Sequence, residues 1–200
     1  MKLLMVWASP YARKVRVAAA ERGLHDRLEL VVVNPHERPP ELVAANPLSK
    51  VPTLIADDGS VHADSFAICL YLDTVGGRTP LMPSEGPDRW LVLQRHAFAH
   101  GIMDCSVTRR LESLRATEPD RNAWMDRQLQ TTIRVLDRFE TSVEALGNDA
   151  SLDAITLACA LSYLDFRFAS DHWRQGRPRL AAWHARFEQR PSMQMTPFFG

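Results

Sequence analysis

The sequence predicts an α/β domain with one four-stranded mixed sheet, followed by an all-α domain. In the first part of the chain, short apolar segments bounded by Gly, Pro, Asn and Asp alternate with helical patterns. The rest of the chain carries the periodicity of long helices. A cluster of prolines, Pro80, Pro83 and Pro87, separates the two parts and is the best linker candidate. We therefore predict domains at residues 1–78 and 84–200.

The elements of the first domain follow the order β-α-β and then β-β-α. Ser9 and Pro10 have the types expected at a helix N-cap and first helical position, so a helix is predicted at 11–22. A second helix is expected to begin at Asp64-Ser65 and to end at Gly76-Gly77. Strands are predicted at 2–7, 28–33, 51–56 and 61–63, with one helical turn near 41–45. Strands joined through a helix pair in parallel, whereas strands joined by a tight turn form a hairpin.

The second domain is predicted to contain helices only. They are expected at 88–114, ending near Glu118-Pro119, and at 122–146, 151–169 and 180–189. The segment 151–169 is apolar nearly all round, as is typical of a central buried helix.

The composition excludes several classes of partner. Lys plus Arg equals Asp plus Glu at 24 each, so neither a nucleic acid nor an anionic membrane is expected as a partner. Cys69, Cys105 and Cys159 are odd in number and lie among apolar residues, which predicts free thiols in a reducing cytoplasm. Neither a leader pattern nor an apolar segment long enough to span a bilayer is found.

The tetrapeptide Ser9-Pro10-Tyr11-Ala12 follows the first predicted strand and begins the first helix. A helix N-terminus offers unpaired N–H groups and a positive dipole end, which favour an anion such as a thiolate. The Ser9 hydroxyl can donate a hydrogen bond to that anion. The alternative is that Ser9 is only an N-cap, since Ser is among the preferred capping residues.

Two further motifs lie at the beginning of later elements. A proline that opens a strand, as in Val51-Pro52-Thr53, belongs at an edge or a special turn, where Val51 can pair with an extended peptide. Ser65 is expected to cap its helix, so that its N–H and hydroxyl can hold a ligand carboxylate. A plain edge proline and a simple helix cap are the respective alternatives.

Together these motifs resemble the cytosolic glutathione S-transferase superfamily, and the resemblance covers nearly the whole chain. Residues 46–54 read NPLSKVPTL, similar to the family's NPxGKVPxL, and residues 9–16 read SPYARKVR, similar to the SPFxRKVR of bacterial members. Residues 157–167 are similar to the central helix of the same bacterial group. The resemblance implies a thioredoxin-like first domain with a cis proline at Pro52, an all-α second domain, and a homodimer that packs around residues 95–104.

The resemblance also implies roles for individual residues. Ser9 would hydrogen-bond the glutathione sulfur as the catalytic residue. Val51, before Pro52, would pair with the cysteinyl backbone, and Asp64 with Ser65 would hold the γ-glutamyl end.

The glycine carboxylate of glutathione would lie near a cation of the loop after the second strand. Arg38 occupies the position where relatives have Lys, His or Arg, and His36 and Lys50 are its competitors.

The implied activity is conjugation of glutathione, as co-substrate and without a metal, to a small electrophilic and largely apolar substrate. A non-catalytic glutathione-binding protein and a glutathione-dependent peroxidase remain alternatives. Glutaredoxins have Cys-Pro-Tyr-Cys where this chain has Ser9-Pro10-Tyr11-Ala12, and the loss of both cysteines disfavours a thiol reductase.

The wall of the second-substrate pocket has four candidates, Trp7, Tyr11, His100 and Met103. Core or dimer packing explains these residues equally well. His100 also lies in an i, i+4, i+8 series with His96 and Asp104, but no fourth ligand is apparent, so no metal is expected.

The chain departs from the family pattern at two positions. Relatives usually begin the central helix with Ser/Thr-x-x-Asp, a capping box, whereas here the acidic residue after Ser151 is Asp153 and Ala154 takes its place. Substitution of Ala154 by Asp is therefore expected to complete the box. Ser49 stands where the family often has Gly.

Overall fold

The computed structural model describes residues 1–115 and 120–200 and divides the chain into two compact units. The first unit contains Met1–Pro83 together with Pro191–Gly200, and the second contains Ser84–Arg190. The sequence prediction had assigned the last ten residues to the second domain, whereas in the structure they return to the first.

The first unit contains a four-stranded mixed sheet in the order β2-β1-β3-β4. The strands are β1 (Lys2–Met5), β2 (Glu29–Val32), β3 (Thr53–Ile55) and β4 (Val61–His62). β1 pairs in parallel with β2 and antiparallel with β3, which forms a hairpin with β4. The side chains of Leu3, Leu4 and Met5 are fully buried, as expected for a central strand with both faces covered. The predicted fold class is confirmed.

The helices follow the predicted order, with one addition at the end. In chain order they are α1 (Pro10–Glu21), α2 (Pro40–Ala45), α3 (Ser65–Val75), α4 (Pro87–Ser113), α5 (Arg121–Ser142), α6 (Leu152–Arg167), α7 (Pro178–Phe187) and α8 (Pro191–Gln194). The sequence analysis missed α8. The predicted end of α4 at Glu118-Pro119 lies outside the described residues.

The C-terminal ends of α1 and α3 are joined by one arginine. Arg22, which is 4% exposed, donates hydrogen bonds to the carbonyls of Asp73 and Gly76 and pairs with the Asp73 carboxylate at 3.2 Å. A Cβ atom on Gly76 would lie 2.6 Å from the Arg22 Cβ. The absence of a side chain at Gly76 therefore permits this contact.

The second unit is built around α6, which packs against α4, as α5 also does. The α6 side chains from Leu152 to Leu164 are buried, so the predicted central helix is confirmed. None of the helices in the described part of the chain has the length and hydropathy needed to cross a membrane.

The beginning of α6 differs from a capping box. The Ser151 side chain makes no cap hydrogen bond and instead donates to the Asp153 carboxylate. Asp153 is fully buried and pairs with Arg95 of α4 at 2.5 Å. Ala154 is fully buried as well. The expectation that Ala154→Asp would complete a box is therefore wrong, because a carboxylate at this position would be buried beside another one.

Candidate functional site

The segments singled out in the sequence meet at one edge of the sheet. Because β3 is antiparallel to β1, with Thr53 opposite Leu4, β3 begins where β1 ends. β4 is antiparallel to β3, with His62 opposite Leu54, so the chain leaves β4 for α3 at this same edge. β2 is parallel to β1 and ends there too. The strand register thus brings the loops before α1, β3 and α3 together.

Ser9 is the N-cap of α1, as predicted, with extended backbone angles. Its side-chain oxygen accepts a hydrogen bond from the Ala12 N–H at 3.2 Å, and its own N–H donates to the Val6 carbonyl at 3.1 Å. Accepting one bond leaves the hydroxyl proton for another partner. Capping and donation to an anion are therefore compatible in Ser9.

A buried amide organises the loop before β3. Asn46, which is 2% exposed, donates to the Lys50 carbonyl at 3.0 Å and to the Thr53 hydroxyl at 2.9 Å, and its oxygen accepts from the Leu48 N–H. Ser49 has a positive φ of 50°, which accounts for the glycine that the family often has here. The peptide bond between Val51 and the following proline is cis.

The N-cap of α3 is Asp64 rather than Ser65. The Asp64 carboxylate accepts from the Phe66 N–H at 2.6 Å, and Ser65 is the first helical residue. The predicted capping role of Ser65 is therefore wrong. Ser65 is only 2% exposed, and among the described residues its hydroxyl has no hydrogen-bond partner. An unpartnered buried hydroxyl at a helix N-terminus is a suitable donor to a carboxylate.

Three cationic or ionisable side chains lie in the loops after β2 and before β3, and all three are exposed. Arg38 ends the short 3₁₀ turn Pro35–Glu37 with a positive φ of 49°, and His36 lies within that turn. Lys50 directly precedes Val51. Within residues 1–115 and 120–200, neither the Arg38 guanidinium nor the Lys50 ammonium forms an ion pair, so both are available to a ligand carboxylate.

The predicted second-substrate residues of the first unit are half-buried. The Trp7 ring makes an edge contact with the Phe199 ring, with centroids 5.5 Å apart, and lies 4.6 Å from the Arg16 guanidinium. Tyr11 lies in the first turn of α1. A role in substrate binding stays a prediction for both residues.

The two candidates of the second unit lie on α4. Met103 is fully buried, while the His100 side chain is 20% exposed. The His100 ring stacks on His96, and its Nε2 lies 3.7 Å from an Asp104 carboxylate oxygen. In the described ranges, no group of three or more His, Cys, Asp or Glu side chains has an arrangement that could hold a metal ion.

The cysteines are poorly suited to nucleophilic chemistry. All three are buried free thiols. Burial raises the pKa of the Cys69 thiol to about 11 and also raises the pKa of Cys105. A thiol becomes nucleophilic as the thiolate, so these raised pKa values disfavour Cys69 and Cys105 as nucleophiles.

The structure shows buried contacts for several residues of the first unit to which the sequence analysis gives no role. Asn46 entered the sequence analysis merely as part of a motif, although it organises the loop before β3. Arg13 and Arg16 of α1 are each 4% exposed and contact residues near the end of the chain. The one local signal for them was the basic pair in SPYARKVR.

Two family models match the chain. Residues 8–75 match the model of the glutathione S-transferase N-terminal domain, and residues 122–186 match that of the glutathione S-transferase C-terminal domain. Among curated proteins, the uncharacterized GST-like protein YibF of Escherichia coli (strain K12) is 29% identical over 183 residues, which are 90% of each chain.

Solved structures are similar over the whole length. A glutathione transferase family member from Pseudomonas fluorescens Pf-5 with bound glutathione is 41% identical, with a TM-score of 0.94, over 100% of this chain and 99% of that chain. A structure of a family member from the same organism with bound S-(propanoic acid)-glutathione is 40% identical, with a TM-score of 0.90 and complete coverage of both chains.

Proposed function

Because the chain belongs to the glutathione S-transferase family, we propose that its first unit binds glutathione and that the protein conjugates this thiol to a small electrophilic, largely apolar substrate. The observation that carries the proposal is the sheet edge, where the loops containing Ser9, Val51 and Ser65 meet. The glutathione and the S-substituted glutathione bound in the two Pseudomonas fluorescens Pf-5 structures support it.

In the proposed complex, each part of the tripeptide has a matching group at this edge. The Ser65 hydroxyl, buried and without a partner among the described residues, donates to the γ-glutamyl carboxylate, and the exposed Asp64 carboxylate lies beside it to face the α-ammonium. The backbone of Val51 pairs with the cysteinyl residue as an added strand would. Arg38, with Lys50 or His36 as alternatives, pairs with the glycine carboxylate.

Ser9 then acts on the sulfur. A free thiol has a pKa near 8.5, so ionisation at neutral pH requires stabilisation of the thiolate by about two pKa units, or roughly 2.7 kcal/mol. A hydrogen bond to a charged group supplies about 1.5–3 kcal/mol, and the N-terminus of α1 adds about 0.3–1 kcal/mol. The thiolate attacks the electrophilic carbon, a C–S bond forms, and the leaving group departs with the electron pair of its bond.

Further parts of the proposal concern the surroundings of this site. Trp7, Tyr11, His100 and Met103 are proposed for the second-substrate pocket, and no metal takes part. The proposal also includes a homodimer with α4 near its two-fold axis, a cytoplasmic location suited to buried free thiols, and a role in detoxification. Light scattering at micromolar concentration should give the mass of two chains, and the mass of one would contradict the dimer.

Binding of glutathione is tested with Ser65→Ala. At a ligand concentration one hundred times Kd, the unaltered protein should gain about 2.7 kcal/mol of stability. Ser65→Ala should raise Kd about tenfold or more, because it removes a hydrogen bond to a charged group. Ser106→Ala is the matched control, since the Ser106 hydroxyl is also buried without a partner among the described residues but lies in the second unit.

Calorimetry and thermal melting measure both quantities. No heat and no melting shift at millimolar glutathione would contradict the proposal. Conjugation to an activated aryl halide, assayed beside peroxide reduction, separates a transferase from a glutathione-dependent peroxidase, and absence of both activities with retained binding indicates a non-catalytic glutathione-binding protein.

A further inference from the structure

The last residues of the chain run along α1 from its end back towards its beginning. The Ser192 hydroxyl donates to the Glu21 carboxylate at 2.5 Å, at the C-terminal end of α1. The Arg16 guanidinium donates to the Pro197 carbonyl at 3.5 Å. The Phe199 ring then contacts Trp7, two residues before Ser9. We name Pro191–Phe199 the C-terminal strap.

Two arginines of α1 hold the strap through both backbone and rings. Arg13 donates to the Met193 carbonyl at 3.2 Å and lies 4.8 Å from the centre of the Phe198 ring. Arg16 donates a hydrogen bond to the Pro197 carbonyl of the strap, and its guanidinium also lies over the Trp7 ring, 4.6 Å from the ring centre. Both arginines are 4% exposed. Cation–π and hydrogen-bond contacts of buried guanidinium groups are stronger than those of solvated ones.

The Trp7 ring is therefore contacted from α1 and from the strap together. Arg16 lies over its face, and Phe199 meets it nearly perpendicularly, with an interplanar angle of 88°. The backbone of the same turn leads into Ser9, whose N–H is bonded to the Val6 carbonyl at 3.1 Å. Movement of Trp7 would thus change the position of the Ser9 hydroxyl.

We propose that Arg16 and Phe199 are positioning residues, which hold Trp7 and through it fix the Ser9 hydroxyl for donation to the glutathione thiolate. The inference rests on the proposed function of Ser9. A hydrogen bond weakens steeply when its angle departs from linearity, and a reacting group must be held within about 0.5 Å of its productive position. The strap supplies this restraint through its contacts with α1 and Trp7.

The central variant is Phe199→Ala, because Phe199 is 54% exposed and its removal is expected to leave the fold intact. Phe199→Tyr retains the aromatic edge contact and serves as the conservative variant. Met195→Ala is the matched control, since Met195 lies in the same strap and is 46% exposed. Arg16→Met removes the guanidinium but retains an unbranched apolar side chain, and tests the other contact of Trp7.

Two measurements are made on each variant. Amide hydrogen exchange of the segment that contains Ser9 is followed without ligand, and the pKa of bound glutathione is followed by the ultraviolet absorbance of the thiolate. Phe199→Ala should speed exchange about threefold and raise the thiol pKa by about half a unit. It should lower kcat near neutral pH about threefold and leave KM for glutathione within about twofold. Phe199→Tyr and Met195→Ala should behave as the unaltered protein does, and Arg16→Met should resemble Phe199→Ala.

A purely structural role predicts a different result. If Phe199→Ala and Arg16→Met lower the melting temperature but leave either the exchange of the Ser9 segment or the thiol pKa unchanged, the positioning role is overturned. The exchange measurement uses no ligand, so it tests the positioning role of the strap independently of the proposed binding of glutathione. Faster exchange in a protein that binds no glutathione overturns the proposed function, whereas unchanged exchange in a protein that binds it overturns the role of the strap.

Discussion

The two roles of Ser9 can be separated by substitutions that keep one and remove the other. Its oxygen accepts a hydrogen bond from the Ala12 N–H, which caps α1, and its proton is proposed to stabilise the thiolate. Ser9→Ala removes both functions. Ser9→Asp keeps the cap, because Asp is as good an N-cap as Ser, but it removes the donor and places a negative charge beside the thiolate.

The structure gives a magnitude to each effect. Loss of the cap in Ser9→Ala should cost about 1 kcal/mol of stability, or roughly 2–4 °C in melting temperature for a chain of this size. Loss of a hydrogen bond to a charged group should cost about 1.5–3 kcal/mol, which raises the pKa of the bound thiol by about one to two units. Conjugation near neutral pH should then fall about ten- to a hundredfold.

The assay compares melting temperature, thiol pKa and conjugation rate across the set. We expect the unaltered protein and Ser9→Asp to be more stable than Ser9→Ala. The pKa of the bound thiol should be lowest in the unaltered protein and highest in Ser9→Asp. Affinity for glutathione should change little in Ser9→Ala, since Val51 and Ser65 hold the rest of the peptide. If Ser9→Ala loses stability but conjugates as fast as the unaltered protein, Ser9 is only a helix cap and the reasoning is refuted.

Three further predictions concern stability. Burial raises the pKa of Cys69 from 9.0 to about 11. Between these pH values the thiol ionises in the unfolded chain but not in the folded protein, so the free energy of unfolding should fall by about 3 kcal/mol. Urea midpoints should show this decline, and Cys69→Ala should reduce it. Ala154→Asp should lower the free energy of unfolding by about 3 kcal/mol, and with it the denaturation midpoint, because it buries a second carboxylate in α6; a higher midpoint would contradict the structure. Gly76→Ala should cost about 1–3 kcal/mol through its contact with Arg22, whereas Gly77→Ala, with open space around its Cβ position, should cost less than about 0.5 kcal/mol.

The parts of the fold that could be predicted from the sequence are those with local signals. Ser9-Pro10 has the residue types of a helix beginning, and Gly76-Gly77 those of a helix end, so α1 and α3 were predicted within one residue of their ends. The parallel pairing of β1 with β2 and the hairpin of β3 with β4 followed from the lengths of their connections. The choice of cap between Asp64 and Ser65 could not be made, because both are preferred types and only the backbone angles decide.

The burial of Arg13 and Arg16 could not be predicted. Charged side chains in a helix are usually solvated, whereas these two are buried and contact the strap. The hydrogen bond between Arg13 and Met193 joins residues 180 positions apart, and no local pattern marks such a pair. The role of Asn46 was hidden for a related reason, since its partners Lys50 and Thr53 offer a backbone carbonyl and a hydroxyl that any sequence contains in abundance.

The return of the strap to the first unit has a consequence for the order in which the protein is made. A ribosome completes the sheet, α1 and α3 of the first unit long before it reaches the strap, and it makes the whole second unit in between. Domains generally fold as units during synthesis, but the first one here lacks the segment that contacts Arg13 and Arg16 until the second unit has been made. Before the strap is made, the first unit lacks the strap contacts of Arg13, Arg16 and Trp7, so we expect its final closure to follow synthesis of the second unit.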